Sequence, residues 1–214
     1  MKKILIVALL ILFIIITASS VGAVEFGSNS ANIKNTYLPL KPGMAYLFYG
    51  YGSKIEPHAY LDIAGTDIVD GVKCTVVNFC GLVDLVEFVA SWVAQDISGN
   101  IYVLKEYDSE NSTPTIVYGK DNALLVMPKD PKVNDIIFGG DATVVETGVT
   151  VSQLNSGIGP FANCIKVMWS DGEISYFAPN IGEVKNGYPG EVDYVELKEI
   201  FKTKKNVVVI PLSD

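Results

Sequence analysis

The stretch HAYLDIAGTDIVDGVKCTVVNF, residues 58–79, decides the fold. Its first part, residues 58–64, alternates between apolar and polar side chains, which is the pattern of a half-buried β-strand. Asp70-Gly71 then leads into the apolar run 72–79, and an Asp-Gly pair between two such runs is typical of a two-residue hairpin turn. The stretch therefore predicts two adjacent antiparallel strands.

Similar signals recur along the rest of the chain. Residues 44–51 are rich in aromatics, the turn 96–100 separates two apolar runs, the turn 170–172 separates two more, and residues 206–212 have the pattern of a last strand. Segment 82–93 has helical spacing, yet as a strand it would place Val86, Phe88, Ala90 and Trp92 on one face. We favour a strand there, because hairpin turn chemistry follows immediately downstream.

Many short strands at regular intervals indicate a mainly β protein. We expect a single strongly curved antiparallel sheet or an incomplete barrel, with at most one or two short helices. No repeat, low-complexity tract or linker divides the chain. Residues 37–214 are therefore predicted to form one β domain, preceded by a polar, Ser/Asn-rich and flexible lead-in at residues 24–36.

The N-terminus has the pattern of an export signal. Lys2 and Lys3 precede a continuous apolar run, and small residues ending at Ala23 follow it. This pattern predicts a signal peptide, residues 1–23, cleaved after Ala23. The alternative is an uncleaved membrane anchor from Ile4 to Val24, since about 20 apolar residues suffice to span a bilayer. Either way we expect an extracytoplasmic protein, whether secreted, periplasmic or at the cell surface.

The charge composition argues against nucleic-acid binding. The chain carries a formal charge of −8, and all 16 of its basic residues are lysines. The planar guanidinium group of arginine is the usual side-chain group that hydrogen-bonds phosphate and guanine, and an acidic surface repels a phosphate backbone. We therefore expect no nucleic-acid partner, and membrane contact only through the N-terminal apolar segment if it is not cleaved.

No catalytic or metal-binding motif is present in the sequence. His58 is the only histidine, and no G-x-S-x-G elbow presents a nucleophile. One histidine and three scattered cysteines do not give zinc spacing. Calcium ligands could come from Asp67 with Asp70 or from Asp130 with Asp135, and the 96–100 segment resembles a calcium loop, although a hairpin turn explains it better. We predict a non-enzymatic protein without a cofactor or metal.

The three cysteines leave the redox state open. Cys74 and Cys80 lie six residues apart in a strand-like run, too far apart for a disulfide if that run is extended. Cys164 could pair with either of them, because an exported protein meets an oxidising environment.

Aromatic residues supply the candidate ligand contacts. Tyr46, Phe48, Tyr49 and Tyr51 form the densest cluster, and Trp92 is added to them as a binding candidate. Such residues can stack on sugars or line an apolar pocket, but they are also good strand residues half-buried on a sheet.

Several short patches have the look of a known family. Residues 37–43, YLPLKPG, are followed far along the chain by 159–167, GPFANCIKV, and 176–185, YFAPNIGEVK. These patches resemble the TapB-like family of exported bacterial and archaeal proteins of unknown function. The resemblance implies a curved antiparallel sheet similar to that of lipoprotein-carrier proteins, and it implies no catalytic residues.

Three functions are compatible with these features. The first is a non-catalytic exported protein that binds an apolar or lipid-like ligand, or a protein partner, at the cell envelope. The second is a carbohydrate or cell-wall binding module, and the third is a hydrolase with an unrecognised carboxylate pair. A cavity of several hundred Å³ inside the sheet would favour a carrier. A filled interior would favour an interaction role. The oligomeric state is left open.

Overall fold

A computed structural model describes residues 24–52, 54–82, 88–109, 115–152 and 155–203. Within these ranges the chain forms thirteen β-strands and one short 3-10 turn. In chain order they are β1 (Met44–Tyr51), β2 (Glu56–Val69), β3 (Val72–Gly81), β4 (Phe88–Gln95), β5 (Ile101–Asp108), β6 (Thr115–Val117), β7 (Leu124–Met127), β8 (Ile136–Ile137), the 3-10 turn Phe138–Gly140, β9 (Ala142–Val151), β10 (Phe161–Trp169), β11 (Ile174–Ala178), β12 (Gly182–Gly187) and β13 (Tyr194–Lys202).

All of these strands belong to one antiparallel sheet. Its order is β6-β5-β4-β3-β2-β1-β13-β12-β11-β10-β9-β8, with β7 paired to β5 beside β6. The sheet thus consists of two meanders that meet where β1 pairs with β13. It does not close, although β7 packs against the 3-10 turn and β8 at the opposite edge. The predicted fold class, a mainly β protein with a single curved antiparallel sheet, is confirmed.

The turns predicted at residues 70–71 and 96–100 are present in the structure. Asp70 and Gly71 join β2 to β3 with φ values of 49° and 76°, so both residues occupy the left-handed region that a type I′ hairpin demands. Asp96 begins the turn before β5, and its carboxylate accepts hydrogen bonds from the Asn100 backbone N–H and side-chain amide, at 2.8 Å each. This segment is therefore a hairpin turn, with the Asp96 oxygens already in use.

The two faces of the sheet carry two separate clusters. The inner face forms the main core, to which almost every strand contributes. A smaller outer cluster covers β3, β4 and β5 on the other face and includes Cys74, Ala90 and Trp92, with Phe88 packed against it. Segment 82–93 is thus a strand from Phe88 onward, with its predicted face confirmed for those residues. Val86 lies outside the described residues.

The segment before β1 packs against the sheet. Residues 30–40, here called the strap, place Ile33, Leu38 and Leu40 in the main core. The sequence predicted a flexible lead-in at residues 24–36. In the structure, however, Thr75 Oγ1 donates to the Ala31 carbonyl at 2.7 Å, and the Gln95 N–H donates to the Ser30 carbonyl at 2.8 Å. The strap therefore helps to fill the inner face.

Asn35 anchors the strap. Its side chain is 4% exposed; Nδ2 donates to the Pro128 carbonyl at 2.9 Å, and Oδ1 accepts from the Tyr37 and Leu38 N–H groups at 2.9 and 3.2 Å. We expect Asn35→Ala to lower the free energy of unfolding by about 2.5 kcal/mol, since several buried polar groups would lose their partner. Urea denaturation measures this loss. Asn32→Ala, at an exposed strap position, should change stability by less than about 0.5 kcal/mol, and equal effects would contradict the anchoring role.

The cysteines are free in the structure. A disulfide between Cys164 and Cys74 is not formed, because Cys74 belongs to the outer cluster and Cys164 to the main core. Cys80 is also unpaired, six residues after Cys74 on β3.

The export signal at residues 1–23 and the predicted strand at 206–212 lie outside the described residues. In the part of the chain that is described, no helix has the length and apolar character to cross a membrane.

Candidate functional site

The structure separates the five aromatic candidates. Tyr46 and Phe48 point into the main core and are each 7% exposed. Trp92 lies in the outer cluster, where its Nε1 donates to Asp67 at 2.9 Å and the Lys105 ammonium sits 4.1 Å from its ring centre. These three side chains pack within the protein's own hydrophobic clusters. Tyr49 and Tyr51 remain, at the end of β1.

Strand alternation puts Tyr49 and Tyr51 on the outer face. Phe48 and its partner Leu197 on β13 both face the main core, so their neighbours face the other way. Tyr49 is therefore paired with Glu196 on the outer face, and Tyr51 with Tyr194. The Tyr51 and Tyr194 rings stack with centres 5.6 Å apart and planes at 24°.

The buried carboxylate of Glu196 contacts several groups on this part of the outer face. Glu196 is fully buried; it lies 3.5 Å from the Lys185 ammonium and accepts the Asn155 and Ser156 N–H groups at 3.3 and 3.1 Å. Lys185 also lies 4.0 Å from the centre of the Tyr194 ring. A buried charge is tolerated when it is paired and hydrogen-bonded in this way. Burial, and to a lesser degree the Glu196 charge, raises the pKa of Tyr51, so its hydroxyl stays protonated at neutral pH.

An open cleft lies directly beside these residues. Its volume is about 490 Å³, within the size range typical of ligand sites. We call it the Tyr51 cleft; it is lined by Tyr51, Gly52, Ile55, Asn155, Val192, Asp193 and Tyr194. Ile55, just before β2, and Val192, just before β13, supply the apolar walls of this cleft. These two apolar side chains are 67% and 80% exposed.

The interior of the sheet holds a much smaller cavity. It lies beneath strap residues 38–40 and measures about 40 Å³, which is room for one or two water molecules. Its lining is mostly apolar, but His58 Nε2 and Asn186 Oδ1 are buried without a hydrogen-bond partner. Burial lowers the pKa of His58, against a smaller opposing effect of Glu56, so the ring is neutral. The cavity is far below the several hundred Å³ that a carrier of acyl chains needs.

Two acids near this cavity interact electrostatically: Glu183, which lines it, and Glu173. One oxygen of Glu183 accepts from Ser175 Oγ at 2.7 Å and from Asn186 Nδ2 at 3.1 Å. Glu173 is 5% exposed and is not among the cavity-lining residues. Burial, followed by the charges of Glu183 and Asp171, raises the pKa of Glu173 to about 8. The two acids do not both face one open cleft, which is the arrangement that a glycosidase pair requires.

Of the four carboxylates considered for calcium, Asp130 is exposed and the other three accept hydrogen bonds from the protein. Asp67 accepts from Trp92, Asp70 from the Lys120 N–H at 3.1 Å, and Asp135 from the Lys132 N–H at 2.7 Å. Among the residues that the structure describes, no group of three or more His, Cys, Asp or Glu side chains is placed to hold a metal ion.

Comparisons with known proteins give distant structural similarities. No family model and no curated protein matches the chain, so membership of the TapB-like family stays a prediction. A candidate exported protein with a YmcC-like fold from Bacteroides fragilis is 12% identical, with a TM-score of 0.44 over 79% of this chain and 100% of that one. A candidate lipoprotein from Parabacteroides distasonis is 10% identical, with a TM-score of 0.34 over 78% of this chain and 99% of that one. The predicted similarity to lipoprotein carriers also stays a prediction.

The sequence pointed to this region only in part. Sequence patterns identified Tyr49 and Tyr51 as candidate binding residues, but they did not identify Tyr194, Glu196 or Lys185. These residues lie some 140 positions further along the chain and reach Tyr51 only because β1 pairs with β13. No local sequence pattern predicts the pairing of β1 with β13.

Proposed function

We propose that this protein is an extracytoplasmic, non-catalytic binding protein that recognises a protein partner at the Tyr51 cleft. The observation that carries the proposal is the contrast between a cleft of about 490 Å³ with two exposed apolar walls and an interior cavity of about 40 Å³. Exposed apolar side chains that line one concave site are typical of protein interaction surfaces. The export pattern of the N-terminus supports an extracytoplasmic location.

The lipid-like and carbohydrate alternatives have less support. An acyl chain finds no room inside, because the strap occupies the inner face. A sugar ring stacks on an exposed aromatic face. Here the Tyr194 ring already stacks with Tyr51 and has the Lys185 ammonium 4.0 Å from its centre, and Tyr51 itself is only 5% exposed.

A photo-reactive amino acid at position 192 tests the proposal. Incorporated into the full chain in its own host, it should give a discrete cross-linked species. The same amino acid at Ile68, 68% exposed on β2, should not. For the partner so identified, Val192→Asp should weaken binding by about tenfold, because a charge would replace an apolar contact. Equal cross-linking from both positions, or unchanged affinity of Val192→Asp, would refute a specific site.

A further inference from the structure

We infer that the Tyr51 cleft takes a lysine or arginine side chain of the partner, with its cationic head on Asp193 and its aliphatic stem between Ile55 and Val192. This inference rests on the proposed function and specifies the chemistry of the partner segment. It follows from the charge state of the cleft floor, the position of one carboxylate, and the nature of the two walls.

Asp193 is the uncompensated charge of the cleft. The other acid nearby, Glu196, is neutralised by Lys185 at 3.5 Å. Within the described ranges, Asp193 has no ion pair and its carboxylate accepts no hydrogen bond, although the exposed Lys54 lies on the adjoining turn. A carboxylate placed in a concave site without a partner favours a cationic ligand. The chain as a whole adds a charge of −8 to this attraction.

The backbone of the β1–β2 turn holds this carboxylate in place. A Cβ on Gly52 would overlap Asp193 Oδ1, so the carboxylate occupies the space that any other side chain at position 52 would fill. Glycine at this position thus lets the turn pack directly against the acid. Asp193 is half-buried and lines the cleft, so its charge does not extend freely into solvent.

The walls favour a long side chain over a small amine. Ile55 and Val192 line the same cleft as Asp193 and expose apolar surface there. Lysine and arginine bury their methylene stems on such surface while the charged head reaches a polar group. The Tyr194 ring already has partners, since Tyr51 stacks with it and the Lys185 ammonium lies 4.0 Å from its centre. The carboxylate is therefore the group that would recognise the cation.

Titration with short peptides tests this chemistry without the natural partner. The peptide acetyl-Ala-Lys-Ala-Lys-Ala-amide is added to the ¹⁵N-labelled protein, and the same peptide with glutamine at both lysine positions serves as the matched probe. We expect the lysine peptide to shift the amide signals of Gly52, Asp193 and Tyr194 and to bind about three- to tenfold more tightly than the glutamine peptide. Asp193→Asn should remove that preference, and added salt should weaken it.

Asp121→Asn is the matched control, since Asp121 is an exposed acid outside the cleft lining and its loss should leave the preference unchanged. Equal binding of the two peptides, or an unchanged preference in Asp193→Asn, would overturn the inference. Glucosamine shifting the same amides as strongly as the lysine peptide would assign the site to a small amine and overturn it as well. If a partner cross-links at position 192 but binds Asp193→Asn normally, the proposed function stands and this inference falls.

Discussion

Replacing Phe138 with alanine will lower the free energy of unfolding by about 4 kcal/mol, the largest effect we expect from a single core substitution. Phe138 is fully buried, and its ring centre lies 4.8 Å from that of Trp169 and 5.7 Å from that of Phe177. It sits in the 3-10 turn against which β7 packs. Its loss would leave a cavity at the point where the two edges of the open sheet approach each other.

The neighbouring position provides the control. Ile136, two residues earlier in β8, is 63% exposed, so Ile136→Ala should change stability by less than about 0.5 kcal/mol. Both variants are compared by urea denaturation, with the slope of the transition as a check on two-state behaviour. A loss for Phe138→Ala no greater than that for Ile136→Ala would show that the 3-10 turn does not hold the sheet edges together.

Local sequence patterns were sufficient for some of the strands and hairpins, among them β1 and the β2–β3 hairpin. Asp70-Gly71 turned as predicted because a type I′ turn needs left-handed φ at both positions, which Asp and Gly supply. Residues 44–51 form β1 because their aromatic side chains fit a pleated surface. Phe138 gave no such signal: it lies beside two glycines, and its burial depends on Trp169 and Phe177, which arrive from later strands.

The strap is a second case in which local sequence composition does not predict the structure. Its polar Ser/Asn-rich composition is that of a flexible segment. Asn35, however, makes its hydrogen bonds to its own turn and to Pro128, a residue 93 positions away. A polar residue can be fully satisfied in a buried site, and composition alone does not distinguish that case from a solvated one.

The same strap bears on the carrier hypothesis. A curved sheet becomes a carrier only if its inner face is left open to a ligand. Here Ile33, Leu38 and Leu40 take up that face, and strap residues 38–40 line the small cavity that remains. The apolar side chains on the inner face, which in the sequence favoured an apolar ligand, thus pack against the protein's own strap. This is why the outer Tyr51 cleft carries the proposed function.

Raising the pH from 5 to 8 will destabilise the protein by roughly 3 kcal/mol through Glu173 alone. Its pKa is about 8 in the folded state, against a reference value of 4.5, because of burial and the nearby Glu183 and Asp171 charges. Below about pH 4.5 the carboxyl is protonated in both states, so its contribution to stability is complete. As the pH rises, the unfolded chain ionises first, and stability is lost until the folded protein also ionises near pH 8.

Glu173→Gln isolates this effect, because glutamine stays neutral at every pH while keeping the shape of the side chain. We expect the stability of the variant to exceed that of the wild type by roughly 4 kcal/mol at pH 8, and the two curves to converge as the pH falls below the reference pKa of 4.5. Other buried carboxyls, such as Glu106 with a pKa of about 7, contribute to both curves alike, so the difference between them reports Glu173. Glu146→Gln removes an exposed charge on β9 and should leave the curve unchanged. Parallel curves for Glu173→Gln and the wild type would mean that Glu173 reaches solvent and ionises freely in the folded protein.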